Sequence, residues 1–85
     1  MILVYDMGER RVAKMLKLCR RYLNWIQNSV FEGELTQVKL QELIGEARAI
    51  MDEYEDSLII FTNRDARWLN KQVIGVEKAS LDTFL

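Results

Sequence analysis

The chain has 85 residues, of which 49% are hydrophobic, and its formal net charge is −1. This length allows one small domain, and the apolar content is enough for a packed core, which excludes an intrinsically disordered chain. The sequence contains no histidine and therefore lacks the usual general base, zinc ligand and Ser-His or Cys-His nucleophile. Any catalysis must use carboxylates, a metal, arginines or tyrosines.

The single cysteine, Cys19, excludes an internal disulfide and favours a reducing compartment. Because so small a core is marginal without a disulfide or metal cage, we expect an oligomer. There is no charged-then-apolar leader and no apolar run of about 18 residues. These features predict a soluble, cytoplasmic protein that does not enter a membrane.

The charges are strongly segregated along the chain. Half of the 12 basic residues lie between Arg10 and Arg21, whereas acidic residues dominate the stretch from Glu32 to Asp56. A protein that is nearly neutral overall can still bind an anion when its basic residues share one face.

The first element is the apolar run from Met1 to Asp6, which predicts a strand buried on both faces. Its only charge is the closing carboxylate of Asp6. In open α/β folds the end of a central strand is where functional groups lie, so Asp6 is the first candidate functional residue. The alternative is that Asp6 caps the helix that follows.

An amphipathic helix is predicted from Glu9 to Leu23. Its buried stripe comprises Val12, Met15, Leu16, Cys19 and Leu23, and its opposite face carries the basic stripe Arg10, Lys14, Lys17 and Arg21. A solvated helix back is the simpler interpretation of these cations. However, stacked like charges destabilise a helix, and a polyanion would neutralise them, so we expect the stripe to contact a nucleic-acid backbone.

The segment from Trp25 to Leu35 is predicted to be extended, either as one bulged strand or as two short paired strands. Thr36 is the expected N-cap of a second helix. The buried stripe of that helix comprises Leu40, Leu43, Ile44, Ala47 and Met51. Gly45 in mid-helix suggests that another backbone packs close to it.

Asp52 to Asp56 is predicted to be an acidic surface turn. The apolar stretch Ser57 to Thr62 predicts a strand beside the first one in the middle of the sheet. A polar turn from Asn63 to Ala66 and a more exposed strand within Arg67 to Val76 should follow.

This order of elements predicts an α+β fold of the ferredoxin-like kind, with a mostly antiparallel sheet and two helices on one face. We expect residues 1–78 to form the domain. Residues 79–85 form a C-terminal tail whose Leu81, Phe84 and Leu85 should dock on another surface.

Three stretches together resemble the small CRISPR adaptation protein, the second universal CRISPR-associated family. They are the first strand ending Val-Tyr-Asp, the basic helix after it, and the run from Gln27 to Thr36 with its Gln-Asn-Ser-Val-Phe-Glu-Gly core. The segment from Glu55 to Ile60 is similar to that family's acidic turn and following strand. The resemblance extends over almost the whole chain.

The resemblance implies a ferredoxin-like homodimer in which the C-terminal strands are exchanged. In that family the dimer bridges copies of the CRISPR integrase in a prokaryotic cell and holds the DNA to be inserted. Many members are called metal-dependent endoribonucleases and some cut double-stranded DNA. The family's metal-binding aspartate matches Asp6, and its other site residues match Tyr5, Arg10, Arg11 and Phe31.

The chemistry of Mg²⁺ agrees with a dimeric site. Mg²⁺ usually takes one or two carboxylates and keeps several waters, and an isologous dimer with Asp6 near its axis supplies two carboxylates for one ion. Such an ion would activate water and polarise a phosphodiester, while Arg10 or Arg11 would hold the phosphate. Two alternatives remain open: a stand-alone ribonuclease of the virulence-associated toxin family, and a non-catalytic module that binds a ligand or protein. We rank a DNA-holding scaffold above catalysis.

Overall fold

The structure, a computed structural model, describes the backbone of residues 1–65 and 68–77, and the side chains of residues 1–62 and 70–77. Its elements are β1 (Ile2–Asp6), α1 (Glu9–Tyr22), β2 (Asn24–Gln27), β3 (Val30–Glu32), α2 (Gln37–Ile50), β4 (Ser57–Asp65) and β5 (Trp68–Gly75). The predicted tail, residues 79–85, lies outside the described residues.

The five strands form one antiparallel sheet in the order β2-β3-β1-β4-β5. The two apolar strands β1 and β4 are neighbours at its centre, as predicted, and Val4 pairs directly with Ile59. Strands β1 to β4 and the two helices have the chain order and the strand order of a ferredoxin-like fold. The predicted α+β class is confirmed.

Both helices pack on the same face of the sheet, and the core lies between the helices and the sheet. Its fully buried side chains come from β1, β3 and β4 (Leu3, Phe31, Leu58 and Ile60) and from the helices (Met15, Cys19, Leu43 and Ala47). Burial raises the pKa of the Cys19 thiol to about 12, so this cysteine is a core residue with little thiolate character.

The prediction that β1 is buried on both faces is wrong for the single chain. Leu3 and Tyr5 are buried, but Ile2 is 43% exposed and Val4 is only half-buried. Because both helices cover one face, the other face of the sheet has no covering layer among the described residues. We call this second face the open face.

The buried stripe of α1 differs from the predicted one at one residue. Val12 is 37% exposed and Leu18 takes its place in the core, beside Met15, Cys19 and Leu23. The predicted stripe of α2 is confirmed at all its positions. Thr36 is the N-cap, and its hydroxyl oxygen accepts a hydrogen bond from the amide of Lys39 at 3.2 Å.

The extended segment after α1 is two short paired strands, β2 and β3, with a bulge between Trp25 and Gln27. Asn28 in the connecting turn has a φ of 46°, in the left-handed region that asparagine tolerates. Strand β4 continues to Asp65, so residues 63–65, which were predicted to lie in a turn, are part of the strand. Nothing among the described residues lies within 4 Å of a Cβ built on Gly45, which contradicts the close backbone expected there.

Candidate functional site

Asp6 is the last residue of β1, and its side chain lies on the open face. Alternation along the strand places it with Ile2 and Val4, opposite to Leu3 and Tyr5. In the ladder with β4 it pairs with Ser57. The carboxylate is exposed, and no group of three or more metal-ligating side chains occurs in the part of the chain that the structure describes. Within the described part of one chain, Asp6 therefore does not belong to a ready-made site with three such ligands.

Asp6 does not occupy the N-cap position of the following helix. The N-cap of α1 is Gly8, and no side chain of the cap residue itself bonds to the helix. Asp6 is thus not explained as a capping residue, and its place at the end of a central strand keeps it the first candidate for chemistry.

The open face around Asp6 is mainly apolar, although Glu32, which pairs with Ile2, and Lys71, which pairs with Phe61, also lie on it. Strand pairing joins Val4 to both Val30 and Ile59, and Ile2 to Phe61, so these side chains share a face. Val73 of β5 extends the same surface, because it pairs with Ile59. All of them are half-buried or exposed in the single chain. A contiguous apolar surface of this kind is typical of a protein interface.

Tyr5 and Phe31, both predicted as site residues, lie on the helix-covered face. Their rings stack with centroids 6.1 Å apart, and they are 4% and 0% exposed. Burial raises the pKa of the Tyr5 hydroxyl, and the nearby Cys19 adds to this. The structure therefore separates these two residues from Asp6 by the thickness of the sheet. Their catalytic role stays a prediction.

Arg11 is bound to carboxylates. Its Nε lies 2.5 Å from Oδ2 of Asp56, and its terminal nitrogen lies 3.0 Å from Oδ1 of Asp56 and 3.0 Å from Oε2 of Glu55. The guanidinium holds the pKa of Asp56 at about 2, although burial acts in the opposite direction. A phosphate would have to compete with two carboxylates for Arg11.

Arg10 and the rest of the basic stripe are exposed on α1. Arg21 donates to Glu46 at 2.9 Å, whereas Arg10, Lys14 and Lys17 form no ion pair with any side chain that the structure describes. A groove of about 510 Å³ lies between α1 and α2, lined by Lys14, Lys17, Leu18, Arg21, Glu46, Ala49 and Ile50. The stripe thus presents Arg10, Lys14 and Lys17 as its most available cations.

Asp56 is the residue that sequence reasoning missed. It was predicted to be on an acidic surface turn, but its side chain is fully buried. The turn itself is exposed from Glu53 to Glu55. Asp56 is buried because it pairs with Arg11, which is 45 residues away in the chain. The sequence around Asp56 does not indicate this partner.

With this geometry described, comparison with known proteins identifies the family. The family model of the CRISPR associated protein Cas2 matches residues 1–71. The chain belongs to the Cas2 family. A relative from Dictyoglomus turgidum, named CRISPR-associated endoribonuclease Cas2, is 43% identical over 99% of this chain and 97% of its own length. A Thermotoga maritima relative of the same name is 47% identical over 91% of this chain and 88% of its own length.

Two solved structures agree with the fold. A Cas2 crystal structure has a TM-score of 0.63 and 32% sequence identity, over 94% of this chain and 78% of that one. A hypothetical protein from Thermus thermophilus has a TM-score of 0.65 and 26% identity, over 89% of this chain and 78% of that one. The resemblance of the sequence to the second universal CRISPR-associated family is therefore confirmed.

The relatives of this Cas2-family chain come from both bacteria and archaea. No helix among the described residues is long and apolar enough to cross a membrane. Location in the cytoplasm stays a prediction.

Proposed function

We propose that this Cas2-family chain acts as a homodimer in CRISPR adaptation, where it bridges integrase subunits and holds the DNA to be inserted. The observation that carries the proposal is the open face, an apolar surface on the central strands that the chain's own helices do not cover. Family membership supplies the CRISPR context. The exchange of C-terminal strands between the two chains is part of the same proposal.

The open face supports dimerisation on energetic grounds. Ile2, Val4, Ile59, Phe61 and Val73 are large apolar side chains at half-buried or exposed positions. Fully burying one such side chain contributes about 1.5–3 kcal/mol, so pairing two copies of this surface would add several such contributions. A two-fold arrangement places the same patch on both sides, as a homodimer requires.

Dimerisation through this face leaves the basic stripe accessible. Because α1 lies on the opposite side of the sheet, the two copies of Lys14 and Lys17 would point outwards, one set on each side of the dimer. Such an arrangement suits a scaffold that contacts DNA backbone while other surfaces hold protein partners.

The test of the scaffold is co-purification with the cognate integrase, followed by a spacer-integration assay. We expect the parent chain and Asp6→Ala to support integration, and Phe61→Glu, which places a charge in the apolar face, to fail. Val38→Glu is the matched control, because Val38 is 69% exposed on α2, away from the open face. Integration that needs none of this chain, or that survives Phe61→Glu unchanged, would overturn the proposal.

A second candidate function is metal-dependent phosphodiester cleavage, of RNA or of double-stranded DNA. It is favoured by the place of Asp6 on the open face, where a partner copy would bring a second carboxylate. A single carboxylate per chain fits Mg²⁺ when two copies share the ion, because Mg²⁺ keeps several water ligands. When bound, the ion would supply an activated water and charge stabilisation for the phosphodiester.

The residues of the chain would have separate tasks in that reaction. The two Asp6 carboxylates would hold and neutralise the ion, and without it they would repel each other. Arg10, which is exposed at the start of α1, would hold the substrate phosphate.

Asp6→Asn should abolish Mg²⁺-dependent cleavage, because a neutral amide is a weaker ligand. Glu42→Gln removes an exposed carboxylate from α2, on the other side of the sheet, and should leave cleavage unchanged. Cleavage that survives Asp6→Asn would exclude the metal role.

A further inference from the structure

We propose that Asp56 is a positioning residue for Asp6, which acts by fixing the short loop that joins β1 to α1. The inference rests on the proposed metal role of Asp6 and concerns a side chain on the far side of that loop. Asp56 touches neither substrate nor metal in this account.

Asp56 is connected to four parts of the chain. Its carboxylate accepts hydrogen bonds from the amide of Gly8 at 2.9 Å, from the amide of Asp52 at 2.9 Å and from Arg11 at 2.5 and 3.0 Å. Its carbonyl oxygen accepts from the amide of Val76 at 2.9 Å, just after β5. The Asp56 side chain is fully buried and Arg11 is partly exposed, so the carboxylate itself is shielded from water.

These contacts lie directly beside Asp6. The β1–β4 ladder ends with Asp6 paired to Ser57, and Asp56 is the residue before Ser57. The amide that Asp56 holds belongs to Gly8, only two residues after Asp6. The backbone around Asp6 is therefore held on one side by the ladder and on the other side by the Asp56 carboxylate.

Asp56 also supports the N-terminal end of α1. Gly8 occupies the N-cap position of α1 but has no side chain to accept a bond from the first turn. Asp56 places a negative charge at this helix end and holds Arg11 in the first turn. Without this carboxylate, the amide of Gly8 and the guanidinium of Arg11 lose this acceptor. The direction of the Asp6 side chain would then be less well defined.

The bidentate contact to Arg11 gives the arrangement its geometry. A guanidinium that donates two parallel bonds fixes the plane of a carboxylate, which a lysine ammonium does not. Gly8 packs against this pair, because a Cβ built on Gly8 would lie 2.6 Å from a terminal nitrogen of Arg11. Arg11 thus belongs to the support of the loop.

The test compares Asp56→Asn and the milder Arg11→Lys with the parent chain, using Mn²⁺ alone as the probe. We expect both variants to bind Mn²⁺ more weakly, by about tenfold for Asp56→Asn, as for other groups that orient a metal ligand. NMR without metal measures hydrogen exchange at the Gly8 amide. This exchange should become faster by about tenfold in Asp56→Asn.

Two controls separate positioning from a general loss of stability. Glu55→Gln removes the exposed partner of Arg11 and leaves Asp56 in place. Leu40→Ala destabilises the core on α2, away from Asp6. Both should leave Mn²⁺ affinity and Gly8 exchange close to those of the parent.

Unchanged Gly8 exchange in Asp56→Asn, or faster exchange with unchanged Mn²⁺ affinity, would overturn the positioning role while the metal role of Asp6 stands. A fall in affinity equally large in Leu40→Ala would also overturn it. A parent chain that binds no Mn²⁺ would overturn the metal role and this inference together.

Discussion

The side chains of Tyr5 and Asp6 lie on opposite faces of the sheet, although the two residues are neighbours in β1. Tyr5 stacks on Phe31 in the core, and Asp6 lies at the end of the open apolar face. Residues that the family resemblance places in one site are thus divided by the structure. Asp6 is on a surface where a second chain can reach it, and the two aromatic residues support the strand from behind.

Substitution of Phe31 should act mainly through stability. Phe31 is fully buried, so we expect Phe31→Ala to lower the free energy of unfolding by about 3–5 kcal/mol and Phe31→Leu to cost much less. Urea unfolding measures both changes. If Phe31→Ala removed nuclease activity or DNA binding at unchanged stability, Phe31 would have a direct role that its burial argues against.

The main elements of the fold could be predicted from the sequence because they depend on local periodicity. The 3.6-residue period gave both helices, and the apolar runs of β1 and β4 gave the centre of the sheet. Two errors, β1 buried on both faces and Asp56 on the surface, depend on distant contacts. Which face the helices cover, and whether Arg11 reaches Asp56, are decided between residues far apart in the sequence.

The same distinction applies to the candidate site. The position of Asp6 at the end of a central strand followed from the pattern of a single segment. The separation of Tyr5 from Asp6 follows from strand alternation once the covered face is known. The engagement of Arg11 by Asp56 and Glu55 could not be read from the basic stripe, where Arg11 looks like any other cation.

DNA binding should depend on the backbone contacts of the basic stripe. We expect affinity for duplex DNA to be independent of sequence and to fall steeply with salt. Lys14→Ala and Lys17→Ala should each reduce the slope of log affinity against log salt by about one unit, because each substitution removes one cation from the phosphate backbone.

Lys39→Ala is the matched control for this measurement, because Lys39 is an exposed lysine of α2 that pairs with Glu42 at 3.2 Å. Its substitution should leave the salt slope unchanged. A double Lys14→Ala and Lys17→Ala variant with the parent slope would mean that the stripe is only a solvated helix surface.

The ion pair between Arg11 and Asp56 should make the free energy of unfolding depend on pH in the acid range. Arg11 lowers the pKa of Asp56 from 3.8 in the unfolded chain to about 2 in the folded chain. The stabilisation by the Asp56 carboxylate is therefore complete above the pKa of the unfolded chain, and it is lost as the pH falls through the pKa of the folded chain. We expect Asp56 to contribute about 1–2 kcal/mol to the fall in unfolding free energy between about pH 5 and about pH 2.

Urea unfolding across this pH range measures the contribution. Asp56→Asn should be less stable than the parent near neutral pH, and the difference should shrink as the pH falls. Glu55→Gln, at an exposed position, should follow the parent curve closely. A constant difference between Asp56→Asn and the parent at every pH would contradict the assignment.

The glycines of α2 and β5 should respond to alanine in opposite directions. Gly45 is helical and no described residue lies close to its built Cβ, so Gly45→Ala should raise stability by about 0.5–1 kcal/mol. Gly75 has a φ of +85°, and a Cβ there would overlap the carbonyl oxygen of Asp56, so Gly75→Ala should destabilise. Urea unfolding of both variants checks the pair. Loss of stability in Gly45→Ala would mean that a partner packs on this surface of α2.

The central claim is that two copies of this chain pair through the open face. Sedimentation equilibrium of the intact chain at low micromolar concentration tests it most directly, together with Phe61→Glu and the matched Val38→Glu. We expect dimers for the parent and for Val38→Glu, and a folded monomer for Phe61→Glu, because a carboxylate in an apolar interface is costly to desolvate. A monomeric parent chain, or a Phe61→Glu variant that dimerises as tightly as the parent, would contradict the claim.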